Sequence, residues 1–222
     1  MTRTAFRLIL ATPCAIALSG CCYYSAKPLE THAASTLVNA KLDLEGLTIA
    51  VKLPPENEWE EYQERHYGTV LTDSNVVPIE VFLENRSADW DYNAKISASR
   101  LELVDGTRFD VLTGDQMVAA FRCSGWRTVP WWLLGILPGM IALADVNIAN
   151  NAMARDWETK ALRDLRLPVG GAPVQGVLFL RPRDADLDDL DLFSGTLLLD
   201  VTTESRSGKP GDRQLVSFAI TR

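Results

Sequence analysis

Histidine is nearly absent from this chain: its 222 residues contain two, His32 and His66. One lies in an N-terminal polar stretch and the other beside Tyr67, so no paired-histidine metal spacing exists and the common zinc-hydrolase patterns are excluded. No G-x-S-x-G nucleophile elbow occurs, and Ser124-Gly125 and Ser207-Gly208 stand outside any such pattern. Gly170-Gly171 precedes a strand-like run instead of a helix, which is the wrong context for a phosphate-cradling loop. Positive charge is scarce as well, with 22 Lys and Arg against 29 Asp and Glu. Nucleic acid is therefore not expected as a partner, because affinity for phosphates requires a clustered basic surface. These absences lead to the expectation of a noncatalytic protein with no catalytic residue, no cofactor and no metal. The one carboxylate cluster, Asp184, Asp186, Asp188, Asp189 and Asp191, alternates as calcium ligands do, but the pattern then fails. Asp189 stands where the turn requires Gly and Gly195 where a bidentate Glu is required, so a solvated acidic loop is expected.

Long hydrophobic runs are missing too. The apolar stretch from Leu8 to Leu18 is far below the roughly 20 residues of a spanning helix, and Pro13 interrupts it. With Arg3 and Arg7 before it and Leu18-Ser19-Gly20-Cys21 after it, the layout is that of a secretory signal peptide. The Cys after the small residues resembles the lipobox of bacterial lipoproteins. That resemblance implies removal of residues 1 to 20, a diacylglycerol on the Cys21 thiol and a third acyl chain on its amine. Two or more chains anchor firmly, so the expected location is a cell membrane, held by the N-terminal lipid. Cys22, in place of an Asp, implies by resemblance to enterobacterial lipoproteins the periplasmic face of the outer membrane.

Loss of Arg3 and Arg7 from the 22 basic residues leaves 20 against 29 acidic ones, a net charge near −9. Anionic headgroups are then unfavourable partners, and the anchor must do the holding. Of four cysteines, Cys14 leaves with the signal peptide and Cys21 is taken by lipid, which leaves Cys22 and Cys123. An exported compartment permits a disulfide between them; a buried free Cys123 with Cys22 at the lipid surface is the alternative. Residues 21 to 41, weakly periodic and polar, are expected to be a flexible tether, with structure starting near Leu42.

The remainder reads as β structure. Leu47 to Leu53 alternates and stops at Pro54-Pro55; Val76 to Asn85 places Ile79, Val81 and Leu83 on one face. A run ending in Arg100-Leu101-Glu102-Leu103-Val104 meets Asp105-Gly106, a tight hairpin signal, and returns as Thr107 to Leu112. Val174 to Leu180, Thr196 to Thr202 and Gln214 to Thr221 complete about seven short strands, which at this spacing favours an antiparallel sandwich. Ile79 to Ser87, Leu101 to Phe109 and Val169 to Phe179 resemble periplasmic immunoglobulin-like modules of uncharacterised bacterial lipoproteins. The resemblance covers about half of the chain after Cys21 and implies an immunoglobulin-like β-sandwich over residues 42 to 222, with no chemistry attached.

Residues 123 to 166 depart from that pattern and are expected to be a helical insertion. Trp126, Trp131 and Trp132 open an apolar run, Val129 to Ala144, that carries no charge before Asp145. It is too short to span a bilayer, and Pro138-Gly139 is expected to bend it. Ile141, Ala144, Ile148 and Ala152, then Met153, Trp157, Ala161 and Leu165, recur at helical spacing. Asp156 with Lys160 and Lys160 with Asp164 read as i,i+4 pairs on an exposed face. Two fates are open for this segment: it completes the core against the sheet, or Trp131, Trp132, Leu133, Leu134, Ile136 and Leu137 form an exposed patch for a protein partner or the bilayer. The function these features favour is a membrane-anchored binding or accessory subunit of the cell envelope. The alternative is a structural or oligomerising envelope protein whose apolar insertion contacts the membrane.

Overall fold

The computed structural model describes residues 24–29, 40–44, 46–52, 58–187, 190, 195–205 and 210–219. Nine strands are assigned: β1 (Ala40–Leu44), β2 (Leu47–Lys52), β3 (Val77–Asn85), β4 (Trp90–Leu103), β5 (Arg108–Leu112), β6 (Leu165–Leu167), β7 (Val174–Pro182), β8 (Gly195–Ser205) and β9 (Pro210–Ala219). They form one hydrogen-bonded antiparallel path in the order β1-β2-β3-β7-β5-β4-β8-β9, with β6 added to β4. The path curls until its two ends, β1 and β9, touch. The fold is thus mainly antiparallel β, and β1 and β6 join the strands expected from the sequence.

Period-2 alternation decides what the curl encloses. Ile79, Val81 and Leu83 of β3 pack with Ile49 of β2, Leu178 and Leu180 of β7, Leu101 of β4, Leu197 and Leu199 of β8 and Val216 of β9 in one core. The reverse face is also buried around β7, where Val177 and Phe179 meet a second cluster containing Tyr67, Leu71, Met117, Met153 and Trp157. Of the helices α1 (Trp59–Tyr67), α2 (Gly114–Phe121), α3 (Val129–Leu133) and α4 (Ile136–Lys160), all but α3 supply residues to that cover. All but α1 lie between β5 and β6. The Thr113 hydroxyl accepts from Gln116 N while the Gln116 side chain accepts from Thr113 N, a reciprocal cap that starts α2 directly after β5. At the far end of α4, Leu162 N donates to Val177 O at 2.9 Å and returns the chain to the sheet.

The β4–β5 turn is wider than the two-residue loop expected from Asp105-Gly106. Leu103 N donates to Thr107 O, and Gly106 takes φ +89°. That is a three-residue loop with Gly in the left-handed region, a conformation that β-carbon sterics make costly for other residues. A tighter constraint holds Gly46 between β1 and β2. Its φ is +95°, and a β-carbon there would stand 2.7 Å from Ser87 N. Gly46→Ala is expected to destabilise by about 2 kcal/mol or more, from left-handed strain plus backbone collision, read as a fall of several degrees in Tm. An unchanged Tm would mean the β1–β2 turn is not held against Ser87.

Residues 24–29 differ from the flexible tether expected of them. Tyr24 and Leu29 pack on the cluster around Trp157, and Ser25 O lies against Gly68, 3.1 Å from where its β-carbon would stand. The remaining residues of that expected tether up to 39, with the signal segment, Cys21 and Cys22, lie outside the described residues.

Candidate functional site

The stretch from Ser124 to Lys160 is built from short-range signals. The Ser124 hydroxyl accepts from Trp126 N, and Pro130 stands at the start of α3, where its missing N–H costs nothing. Gly135, at φ +128°, separates α3 from α4. The break therefore falls at Gly135 and not at Pro138-Gly139 as expected, because Pro138 lies in the first turn of α4, where backbone N–H groups have no intrahelical partner. Gly139 instead makes room for an aromatic ring, since Trp132 lies across it so closely that any side chain there would collide with the indole. Trp132 Nε1 donates to Thr128 Oγ1 at 3.3 Å, and Thr128 Oγ1 donates to Gly125 O at 2.7 Å. The result is a short helical hairpin locked by one Trp on one Gly.

Helix α4 buries a seam of Gly139, Ala142, Val146, Ala149, Met153, Trp157 and Lys160. The sequence stripe through Ile141, Ala144 and Ile148 is one position out of register with it, and all three are exposed. The two halves of the segment differ in burial. Met153 and Trp157 join the cluster on the sheet, while α3 and the first half of α4 present an apolar surface. Leu133 is 84% exposed, Ile136 74% and Leu137 70%. Trp132 and Leu134 are exposed as well, and Trp131 is half-buried. Trp126, Met140, Ile141 and Ile148 extend the surface beyond the residues singled out from the sequence. The i,i+7 spacing of Ile141 and Ile148 was the signal for that extension, since it puts both on one face of the helix. No helix among the described residues is long and apolar enough to cross a membrane.

The N-terminal part of the chain is tied to this helix through Tyr24. Tyr24, three residues after Cys21, donates its hydroxyl to Asp156 and packs its ring on Trp157. Cys123 is disulfide-bonded, with its partner outside the described residues, and every other cysteine stands at position 22 or earlier. Cys123 is held against the middle of α4: its N–H donates to Asn150 Oδ1 at 2.7 Å, and Asn150 Nδ2 donates to Cys123 O at 3.1 Å.

Under Tyr24 sits a buried charge. Lys160 Nζ donates to Asp156 Oδ2 at 2.6 Å and to His66 O at 3.2 Å, and lies over the rings of Trp157 and Tyr67. Asp156 and Lys160 were expected on an exposed face, yet their side chains are only 9% and 2% exposed. The expected pairing of Lys160 with Asp164 is replaced by a bond from Asp164 to Ser97, whose N and Oγ both donate to it. Burial lowers the Lys160 pKa, and Asp156 opposes the shift. Burial, then the bond to Asp156, raises the Tyr24 pKa; burial and the neighbouring Glu80 and Tyr62 raise that of Tyr67. The continuation of the α4 seam from Trp157 to the next position, i+3, was the signal that Lys160 is inside.

A recess of about 470 Å³ lies between β4, the start of α2 and the end of α4, lined by Ile96, Ser97, Leu112, Gly114, Glu158 and Asp164 among others. Of its three acids, Asp164 is bonded to Ser97 and Glu158 to Arg163 at 2.8 Å, and the third is Asp115. Asp184 and Asp186 are described and the other three Asp of that loop are not; among the described residues no group of three or more His, Cys, Asp and Glu could hold a metal ion. No known protein family, curated protein or solved structure matches the chain.

Proposed function

We propose that this protein is a lipid-anchored component of the bacterial cell envelope that works by binding, as a noncatalytic accessory subunit, from the periplasmic face of the outer membrane. The lipobox-like Leu18-Ser19-Gly20-Cys21 supports the anchor. The observation that carries the binding role is the exposed apolar face of α3 and α4, since exposed apolar residues gathered on one element mark a contact surface, with a protein or with a membrane. Confinement to two dimensions by the lipid raises the effective concentration of whatever that face meets.

An immunoglobulin-like sandwich, with residues 123 to 166 as an insertion, is our finer proposal for the architecture. The enclosure of one core between the β2-β3-β7 and β4-β8-β9 stretches of the curled sheet supports it. Amide exchange as slow across the β5–β7 pair as in the pairs on either side of it would make the fold a single rolled sheet instead.

Expression in a bacterial envelope with labelled palmitate tests the anchor. The wild-type protein is expected to take up label and sediment with membranes, and Cys21→Ser to lose both. Label retained in Cys21→Ser, or none in the wild type, would sink the lipoprotein reading.

A further inference from the structure

We propose that the face formed by α3 and the first half of α4 is occupied by lipid: it lies in the interfacial region of the bilayer that carries the anchor. The proposal rests on the lipoprotein reading above and names the partner of that surface. The location of the chain's start argues for it. The Tyr24 side chain is fastened to Asp156 and Trp157, and three residues of chain reach at most about 10 Å along the backbone from Tyr24 to Cys21.

The disulfide directs the chain further. On the lipoprotein reading Cys14 is removed and Cys21 carries lipid, which leaves Cys22 to pair with Cys123, held beside Asn150. Asn150 stands six residues, or about 9 Å of helix, nearer the hairpin than Asp156. A Cys22–Cys123 bridge would therefore draw the chain before Tyr24 towards the hairpin. Ile148, 67% exposed, stands two residues from Asn150, and the apolar face runs from it for about 18 Å to Ile136. The acyl chains are thereby delivered at the Ile148 end of this face, where Asp145 stands between Ile141 and Ile148; from Ala144 back to Val129 the surface carries no charge.

The composition of the surface agrees. No charged residue occurs from Val129 to Ala144, and Trp126, 81% exposed just before α3, offers an amphipathic indole of the kind that suits the headgroup level. The face does not span: it would dip roughly 5–10 Å, as interfacial helices do. With acidic residues in excess over the whole chain, the contact is apolar and not a salt-sensitive attraction to anionic lipid.

The test uses the lipidated full chain in vesicles of phosphatidylethanolamine and phosphatidylglycerol, with a photoreactive residue in place of Leu137. A control probe replaces Val104, which is 86% exposed in the β4–β5 turn. Lipid adducts at 137 at least tenfold above those at 104 are expected, unchanged by high salt. Equal labelling at the two positions, or a protein adduct at 137 in cells, overturns the proposal. Fatty-acid label in the same samples reports separately on the anchor. If that label is missing, lipid adducts at 137 on the unlipidated chain still support the contact, and their absence still defeats it.

Discussion

Asp156→Ala should be among the most damaging single substitutions in this protein, lowering stability by about 3–5 kcal/mol and Tm by roughly 10 °C. The reason is the charge it abandons. Lys160 is 2% exposed, its ammonium bonded only to Asp156 and the His66 carbonyl among the described residues. Without the carboxylate, an unpaired ammonium stays buried or loses its proton, and either costs free energy. Lys160→Met, which removes the charge and keeps an unbranched apolar chain, is expected to cost much less, and the double variant Asp156→Ala/Lys160→Met to recover much of the loss. Thermal unfolding of the three variants checks this. If Asp156→Ala and Lys160→Met cost the same and add in the double variant, the two groups are not coupled and the burial argument fails. Tyr24 loses its hydrogen-bond acceptor in the same variant, so its ring should become more accessible to quenchers.

Trp157→Ala is expected to cost about 3–5 kcal/mol by a different route, loss of buried volume. Trp157 is fully buried and its ring meets those of Tyr24, Tyr67, Phe121 and Phe179 at centroid distances of 5.4 to 6.3 Å. It joins four separate pieces of chain: the N-terminal segment, α1, α2 and β7. Trp157→Phe should cost much less than half as much. The smaller ring fills most of the space, and the buried indole N–H, which meets no acceptor among the described residues, is removed with it. Chemical denaturation of both variants decides the matter; equal losses for Phe and Ala would mean that the indole N–H does have a partner.

Both predictions concern α4, and that helix shows how far the sequence can be read. Helical spacing between residues 141 and 165 is visible, yet two stripes compete, one through Ile141 and Ile148 and one through Ala142, Val146, Ala149 and Met153. Hydrophobicity alone prefers the first. The structure buries the second because small side chains let α4 approach its neighbours closely, and because the sheet's outer face offers Phe179 and Val177 to Met153 and Trp157. The same choice carries Lys160 inside, where a charged i,i+4 pair had suggested solvent.

Local chemistry was enough for much else. Strands β2, β3, β5, β7, β8 and β9 follow from β-branched alternation and from Gly, Pro and Asp punctuation, because those signals act within a few residues. The apolar character and helical grammar of residues 129 to 160 were likewise written in the chain, as was the scarcity of histidine and basic charge. Strand order was not: pairing β3 with β7 joins residues nearly a hundred positions apart, and no local pattern states which strands meet. Nor could sequence decide that one half of the helical segment packs on the sheet while the other stays bare, that Tyr24 is fastened to Asp156, or that Cys123 is bridged. Those outcomes depend on which surfaces remain unburied after the sheet has curled, a quantity that exists only once the distant parts of the chain have been brought together.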